Sequence, residues 1–330
     1  MITIRQAVYE DIPNIMNFID QHWKKNHILA RDRSFFEWQF VESGQVNVFL
    51  GIDDKEGKIY GMQGIIRYNH RCNPDISGSI WKTIRSDNPR LGLDIADFAN
   101  QQLDTNLIIG AGVSEKAIKL GCVMGGKPIA MDHYYRLADC EEYKIAVVKN
   151  KWIPQVKFRK TMLKPVSSIE EMKQVVSDEA LANHLMSKDY DYIEWRYFKH
   201  PIYRYQIWKV VRVVGLIQSI VITREESWQG RKIIKIIDFY GDLDDLGRIT
   251  PALDQLMKER GYEYVDIYSV GVPAAIYDRA GFVRCDENSE NIIPSYFHPF
   301  EQRNVEIKMM DPMLEGLRLF RGDGDQDRPC

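Results

Sequence analysis

Two short stretches of this 330-residue chain carry residue types that could handle a phosphorylated ligand. In the first, Ser86-Asp87-Asn88-Pro89-Arg90-Leu91-Gly92 is dense with turn formers and stands just ahead of a helical repeat. A turn that opens a helix leaves backbone N–H groups unpaired and carries partial positive charge. Gly92 would let a ligand approach the backbone, and Arg90 would supply a fixed cation. An ordinary strand-to-helix turn uses the same residues, and neither the Walker nor the dinucleotide glycine fingerprint is present, so spacing alone favours that plainer reading. In the second stretch, Trp195-Arg196-Tyr197-Phe198-Lys199-His200-Pro201, Arg196 and Tyr197 suit a phosphate and a nucleobase or sugar ring through charge-assisted hydrogen bonding and stacking. The alternative is that Trp195 and Tyr197 pack the domain while Arg196 pairs with an acid such as Asp238.

The elements that would position these residues can be read from periodicity. Ile80–Arg85 alternates as a strand, Leu93–Leu103 repeats at helical spacing, and Leu107–Gly110 forms a short buried strand. Ser114 then caps a helix over Glu115–Leu120. Before them come a strand from Ile2, a helix from Ile12 to Trp23, a helix at Ser34–Val41, and strands Val46–Ile52 and Ile59–Tyr68. After a connecting region with one strand at Tyr143–Val148, the order starts again. A helix spans Glu170–Leu185, strands follow at Tyr205–Val210, Gly215–Thr223 and Lys232–Asp238, and a helix covers Pro251–Arg260. Glu37-Trp38 recurs as Glu194-Trp195, and Gly112-Val113 as Gly271-Val272. Two echoes at nearly one offset imply two tandem copies of one α/β fold, over 1–150 and 151–320, with a Gly-, Asp- and Pro-rich tail at 321–330 expected to be disordered.

Composition narrows the function classes. A net charge of -3 with mixed signs argues against a nucleic-acid partner, whose phosphates need a basic surface. Cys72, Cys122, Cys140, Cys285 and Cys330 are scattered and form no C-x-x-C pair, which argues against a disulfide framework or a metal site and fits a reducing cytoplasm. The amino-terminal residues already read as a strand with no signal peptide, and no apolar run approaches the ~20 residues that cross a bilayer. A cytoplasmic protein without membrane insertion, monomeric or dimeric, is expected.

Arg5-Gln6-Ala7-Val8-Tyr9-Glu10-Asp11-Ile12-Pro13, Gly61-Met62-Gln63-Gly64 and Pro89-Arg90-Leu91-Gly92 resemble the GCN5-related N-acetyltransferase superfamily, and Tyr277-Asp278-Arg279-Ala280-Gly281-Phe282 is similar to its closing motif. The resemblance covers nearly the whole chain as two copies. It implies a mixed-sheet α+β fold and acyl-coenzyme A as co-substrate. The coenzyme's pyrophosphate would lie on the turn Pro89, Arg90, Leu91, Gly92 and Leu93, with Lys82, Thr83 and Ile84 on the central strand and Ser114 beyond. The second copy has Gly241-Asp242-Leu243-Asp244-Asp245-Leu246-Gly247 at the same place. Three carboxylates there would repel a pyrophosphate, so the coenzyme is assigned to the first copy and the acceptor to the second.

The chemistry that the resemblance implies is attack of a neutral amine on a thioester. It calls for a base near neutrality, positioning, and polarisation of the carbonyl by strand N–H groups. His70 and His133 are the candidate bases, against an exposed or structural role for each; Asp75 could orient a base or bind the amine, against a solvated turn. Trp195, Arg196, Tyr197, His200 and Asp238 resemble an acceptor site for a nucleotide-linked amino sugar, such as a dTDP-3-amino-3,6-dideoxyhexose. Two other classes stay open: a tandem-fold ligase that draws amino acids from aminoacyl-tRNA, and a non-catalytic binding module.

Overall fold

The computed structural model describes the chain except residues 124–125, 158–160, 183–184, 213–218, 312–313, 325–326 and 330. Met1–Gly110 and Ala111–Arg328 make up two compact units. In the first, strands β1 (Thr3–Gln6), β2 (Val48–Asp53), β3 (Lys58–Arg67), β4 (Asp75–Thr83) and β5 (Leu107–Ile109) form one sheet in that order. Neighbours are antiparallel except β5, which runs parallel to β4. A parallel neighbour requires a crossover, and helix α3 (Leu91–Leu103) supplies it.

Helices α1 (Ile12–His22) and α2 (Arg33–Phe40) bury Ile12, Ile15, Ile19, Phe35, Phe36 and Phe40 against Val48, Leu50 and Met62. On a second core cluster, α3 sets Leu91, Ile95 and Ala99 on Phe49, Ile65 and Ile76. The close seat of α3 depends on two glycines, since a Cβ at Gly51 would stand 2.7 Å from Leu91 Cδ1 and one at Gly61 2.8 Å from Ile95 Cδ1.

The second unit repeats this plan. Helix α4 (Glu115–Val123) and strand β6 (Asp132–Leu137) are followed by β7 (Met162–Pro165), β8 (Tyr205–Val211), β9 (Ile220–Trp228) and β10 (Arg231–Tyr240). Then come α5 (Thr250–Arg260), β11 (Tyr262–Val270), α6 (Ala274–Ala280), β12 (Val283–Cys285) and β13 (Leu319–Phe320). The sheet order is β7-β8-β9-β10-β11-β6-β12, with β13 also on β11 and with β10 and β11 parallel. Corresponding elements start 159 residues apart: Thr3 and Met162, Leu91 and Thr250, Glu115 and Ala274. Gly112 and Gly271 keep the same left-handed turn, at φ 79° and 75°.

The sequence reading departs from this structure in four places. The division falls at 110/111, not 150, because β6 hydrogen-bonds between β11 and β12 and binds the region after Gly110 into the second sheet. Tyr143–Val148 is no strand; only Val147 makes an isolated bridge, to Ile292. The helix expected over Glu170–Leu185 is broken into Ile169–Lys173 and Asp178–Ala182, and residues 183–184 lie outside the described residues. Of the strand expected over Gly215–Thr223, Ile220–Thr223 lies in β9, and 213–218 lie outside the described residues. The described part of the tail is packed: Arg321, Asp323 and Asp327 are 3%, 2% and 0% exposed. Among the described residues no helix is long and apolar enough to cross a membrane.

Candidate functional site

In the first unit, β4 and β5 pair only from Asp75–Leu107 to Ser77–Ile109, and β4 then runs on through Gly78–Thr83 with no strand on that side among the described residues. Along this free stretch Ile80 takes φ 44° where the β3–β4 register shifts, a conformation a β-branched residue adopts only under constraint. Lys82 and Thr83 end the strand and Ile84 follows, its N–H donating to Tyr60 O at 2.8 Å. The start of α3 lies against it: Trp81 Nε1 donates to Gly92 O at 2.9 Å, and a Cβ on Gly92 would be 3.3 Å from Thr83 Cγ2. Pro89 and Arg90 form the turn, and Leu91, Gly92 and Leu93 are already the first residues of α3, two residues earlier than the helix expected from Leu93.

That turn is less open than its composition suggests. Arg90 N–H donates to Asn88 Oδ1 at 2.9 Å, Leu91 N–H to Asn88 O at 3.3 Å, and the Leu93 and Asp94 amides to Arg90 O at 2.8 and 3.0 Å. Asn88 Nδ2 also holds Asp94 Oδ2 at 2.7 Å, so a carboxylate of the chain already lies in the first turn. Gly92 is left as the first-turn amide without a partner among the described residues. The Arg90 side chain is 70% exposed, 3.9 Å from Asp94.

The candidate bases fall in different units. His70 is exposed in the first unit and hydrogen-bonds Glu42. Asp75 is no solvated turn residue: it is 1% exposed and takes Asn69 Nδ2 at 2.9 Å and Asn106 Nδ2 at 2.7 Å, tying the β3–β4 turn to the entry of β5. His133 belongs to the second unit, on β6, buried, with Nε2 3.3 Å from Asp266 Oδ2 and its ring stacked on Tyr268 at 4.0 Å. Burial lowers its pKa against the pull of Asp266, so it is a neutral core imidazole. Beside it, burial brings Lys235 down to about 8 while Asp266 opposes the shift. Ser114, also in the second unit, caps α4 through Ala117 N at 3.3 Å.

In the second unit β10 and β11 likewise part after Ile236–Ile267, but here the gap is filled. Strand β13 pairs with Ser269 and Val270, and the turn after it packs so closely that a Cβ on Gly322 would be 3.1 Å from Ile237 O. Two aspartates of this segment bind buried cations. Asp323 Oδ1 is 2.5 Å from Lys188 Nζ, which also holds Asp238 Oδ2 at 2.6 Å; Tyr197 and Tyr240 donate to the same Asp238 oxygen, each at 2.7 Å. Burial, then the neighbouring Asp238 charge, pushes Asp323 up to about 6. Asp327 takes Arg224 at 2.6 Å, Arg196 at 3.2 Å and the Tyr205 hydroxyl at 2.6 Å.

Arg196, Tyr197, His200 and Asp238 are therefore internal ties and not the ligand surface expected, and Arg196 pairs with Asp327 where sequence offered Asp238. His200 accepts the amides of Ile202 and Tyr203 on Nδ1 at 3.1 and 2.9 Å. Trp195, half-buried, leans on Tyr192. Tyr277 of the closing motif is buried too, its hydroxyl 2.6 Å from Ser269 Oγ. The carboxylates of the second phosphate turn are not the uncompensated cluster inferred from sequence. Asp244 meets Arg279 at 2.7 Å and Arg248 at 3.0 Å, and Asp245 is bound by Arg212 and Ser219.

Two parallel-paired copies of a mixed sheet, each with its crossover helix, define the class of fold. In solved structures the chain resembles a GCN5-related N-acetyltransferase from Anabaena variabilis at 10% identity and a TM-score of 0.54. It also resembles a conserved protein of unknown function, a probable N-acyltransferase, from Enterococcus faecalis at 11% and 0.55. Each alignment covers 93% of this chain and 72% of the other. No protein-family model and no curated protein matches the sequence. The fold is the GCN5-related N-acetyltransferase fold, in two tandem copies.

Proposed function

We propose that the protein is an acyl-coenzyme A-dependent N-acyltransferase whose first copy binds the coenzyme. The observation that carries this is the unpaired run of β4 from Gly78 to Thr83, lying against the start of α3. A thioester arm laid along that run meets strand amides, while the pyrophosphate meets the Gly92 N–H and the Arg90 guanidinium. An acceptor amine in its free-base form then attacks the thioester carbonyl; the C–S bond breaks, the sulfur leaves as the coenzyme thiol, and an amide remains. His70, exposed and oriented by Glu42, is the candidate for removing the amine proton. The filled gap in the second copy favours one coenzyme site per chain.

For the acceptor we propose a nucleotide-linked amino sugar, taking an acetyl or short hydroxyacyl group. A groove of about 450 Å³ in the second unit supports a nucleotide, since Tyr203, Tyr205 and Phe198 line it together with Arg204 and Arg260. Arg204 is exposed and has no partner among the described residues. The Asn88 and Asp94 bonds in the phosphate turn favour a second reading, a non-catalytic binding module. A thermal-shift scan with acetyl-coenzyme A, 3-hydroxybutyryl-coenzyme A, dTDP and dTDP-amino sugars separates the two. A ligand at ~100 times its Kd adds about 2.7 kcal/mol. Arg90→Glu is expected to remove the coenzyme shift and keep the fold; no shift with any coenzyme A ester in the unaltered protein selects the binding module.

A further inference from the structure

Gln63 on β3 is 8% exposed, yet its carboxamide is unused: Oε1 is buried with no hydrogen-bond partner, and Nε2 makes none to the described residues. With Oε1 turned inward, Nε2 is the side of the amide that can still reach a partner, and polar groups this nearly buried almost always have one, so a ligand acceptor at Nε2 is the natural complement. Its surroundings say where that ligand lies. A Cβ built on Gly78 would stand 3.1 Å from Gln63 Nε2 and meet nothing else within 4 Å, whereas Gly51, Gly61 and Gly64 all press against side chains. Gly78 is also partly exposed between the buried Ser77 and Ser79. It is the first β4 residue past the last β4–β5 pair. The missing side chain at Gly78 therefore opens a window from the free run of β4 onto the Gln63 amide.

We infer that Gln63 is a substrate-contacting residue whose Nε2–H donates, across the Gly78 window, to the thioester carbonyl oxygen of the bound acyl group. This rests on the acyl-coenzyme A reading above. A carbonyl is the right partner because the N–H is the part of the amide that reaches the window, and because that oxygen gains negative charge as the amine attacks. The same hydrogen bond then strengthens towards the transition state.

The test compares Kd for acetyl-coenzyme A and for coenzyme A, which lacks the thioester carbonyl, by isothermal titration of the full chain. Gln63→Met keeps the side chain's shape and removes the donor. It is expected to weaken acetyl-coenzyme A about fivefold, the worth of one neutral hydrogen bond, and to leave coenzyme A unchanged. Gly78→Ala, which covers the window and keeps the Gln63 amide, is likewise expected to raise the ratio of the acetyl-coenzyme A Kd to the coenzyme A Kd, and it serves alone if Gln63→Met does not fold. A merely structural role would weaken both ligands together. An unchanged ratio in the variants, with the unaltered protein binding both ligands, overturns the role of Gln63 and leaves the acyltransferase reading standing. Failure of the unaltered protein to bind either ligand overturns both.

Discussion

Replacing Asp327 by Asn should unfold the second unit far more readily than any surface change of the same size. The carboxylate is fully buried, 2.6 Å from Arg224 and 3.2 Å from Arg196, themselves 4% and 7% exposed. Burial alone would raise its pKa, but Arg224, Arg196 and Arg321 together hold it well below the usual carboxylate range. Asn keeps the shape and removes the charge, leaving Arg196 with no charged partner and Arg224 with Glu226 alone. Breaking a buried pair by removing one partner costs roughly 3–5 kcal/mol. With m in urea near 3 kcal/mol per molar, about the top of the range for small domains, the midpoint falls by roughly 1–2 M. Urea unfolding followed by tryptophan fluorescence reads this, with Trp208 as a reporter buried in the second core. Asp139→Asn, at a carboxylate 86% exposed beside Lys151, is the control and should leave the midpoint unchanged. A midpoint for Asp327→Asn within error of that control would mean that the arginines are solvated and the 319–327 segment is not part of the core.

Two further outcomes are expected. A chain of residues 151–330 lacks β6 and exposes the β11 edge, so it should aggregate on expression, whereas 111–330 should be obtained folded; equal solubility would place the boundary where sequence put it. His200, lowered to about 3 by burial first and the Arg196 charge second, stays neutral in the folded protein while the unfolded chain takes up a proton near 6.5. Its contribution is therefore complete above pH 6.5 and is lost as pH falls towards 3. A His200→Asn variant should show a shallower loss of stability over that window, and identical slopes would remove His200 as the cause.

What was legible in the sequence was what local chemistry encodes. The repeat could be read because Gly112 and Gly271 hold the same left-handed turn, and α3 because its apolar positions recur at helical spacing. The 319–327 segment was not legible. Its aspartates read as solvated until one knows that Lys188 in a loop, Arg196 in the Glu194–Phe198 helical turn and Arg224 on β9 are buried, about a hundred residues or more earlier. Nor was β6, since Met131–Leu137 alternates too weakly to announce a strand whose two partners come much later. At the candidate site the start of α3 was legible from its turn formers, but the Asx-type bond from Arg90 N–H to Asn88 Oδ1, which Asn two residues earlier favours, was not read. Gln63 could not be found from pattern, because an unused amide is visible only once its neighbours are placed.

The position of β6 also sets a clock on biosynthesis. Its last residue, Leu137, leaves the ribosome about 125 residues before Tyr262 of β11, the first strand that can accept it. At roughly 5–20 residues per second the strand waits on the order of 6–25 s with both edges open. Throughout that interval Tyr134, Tyr135 and Leu137 have no sheet to join, and the cell must shelter them or lose nascent chains to one another.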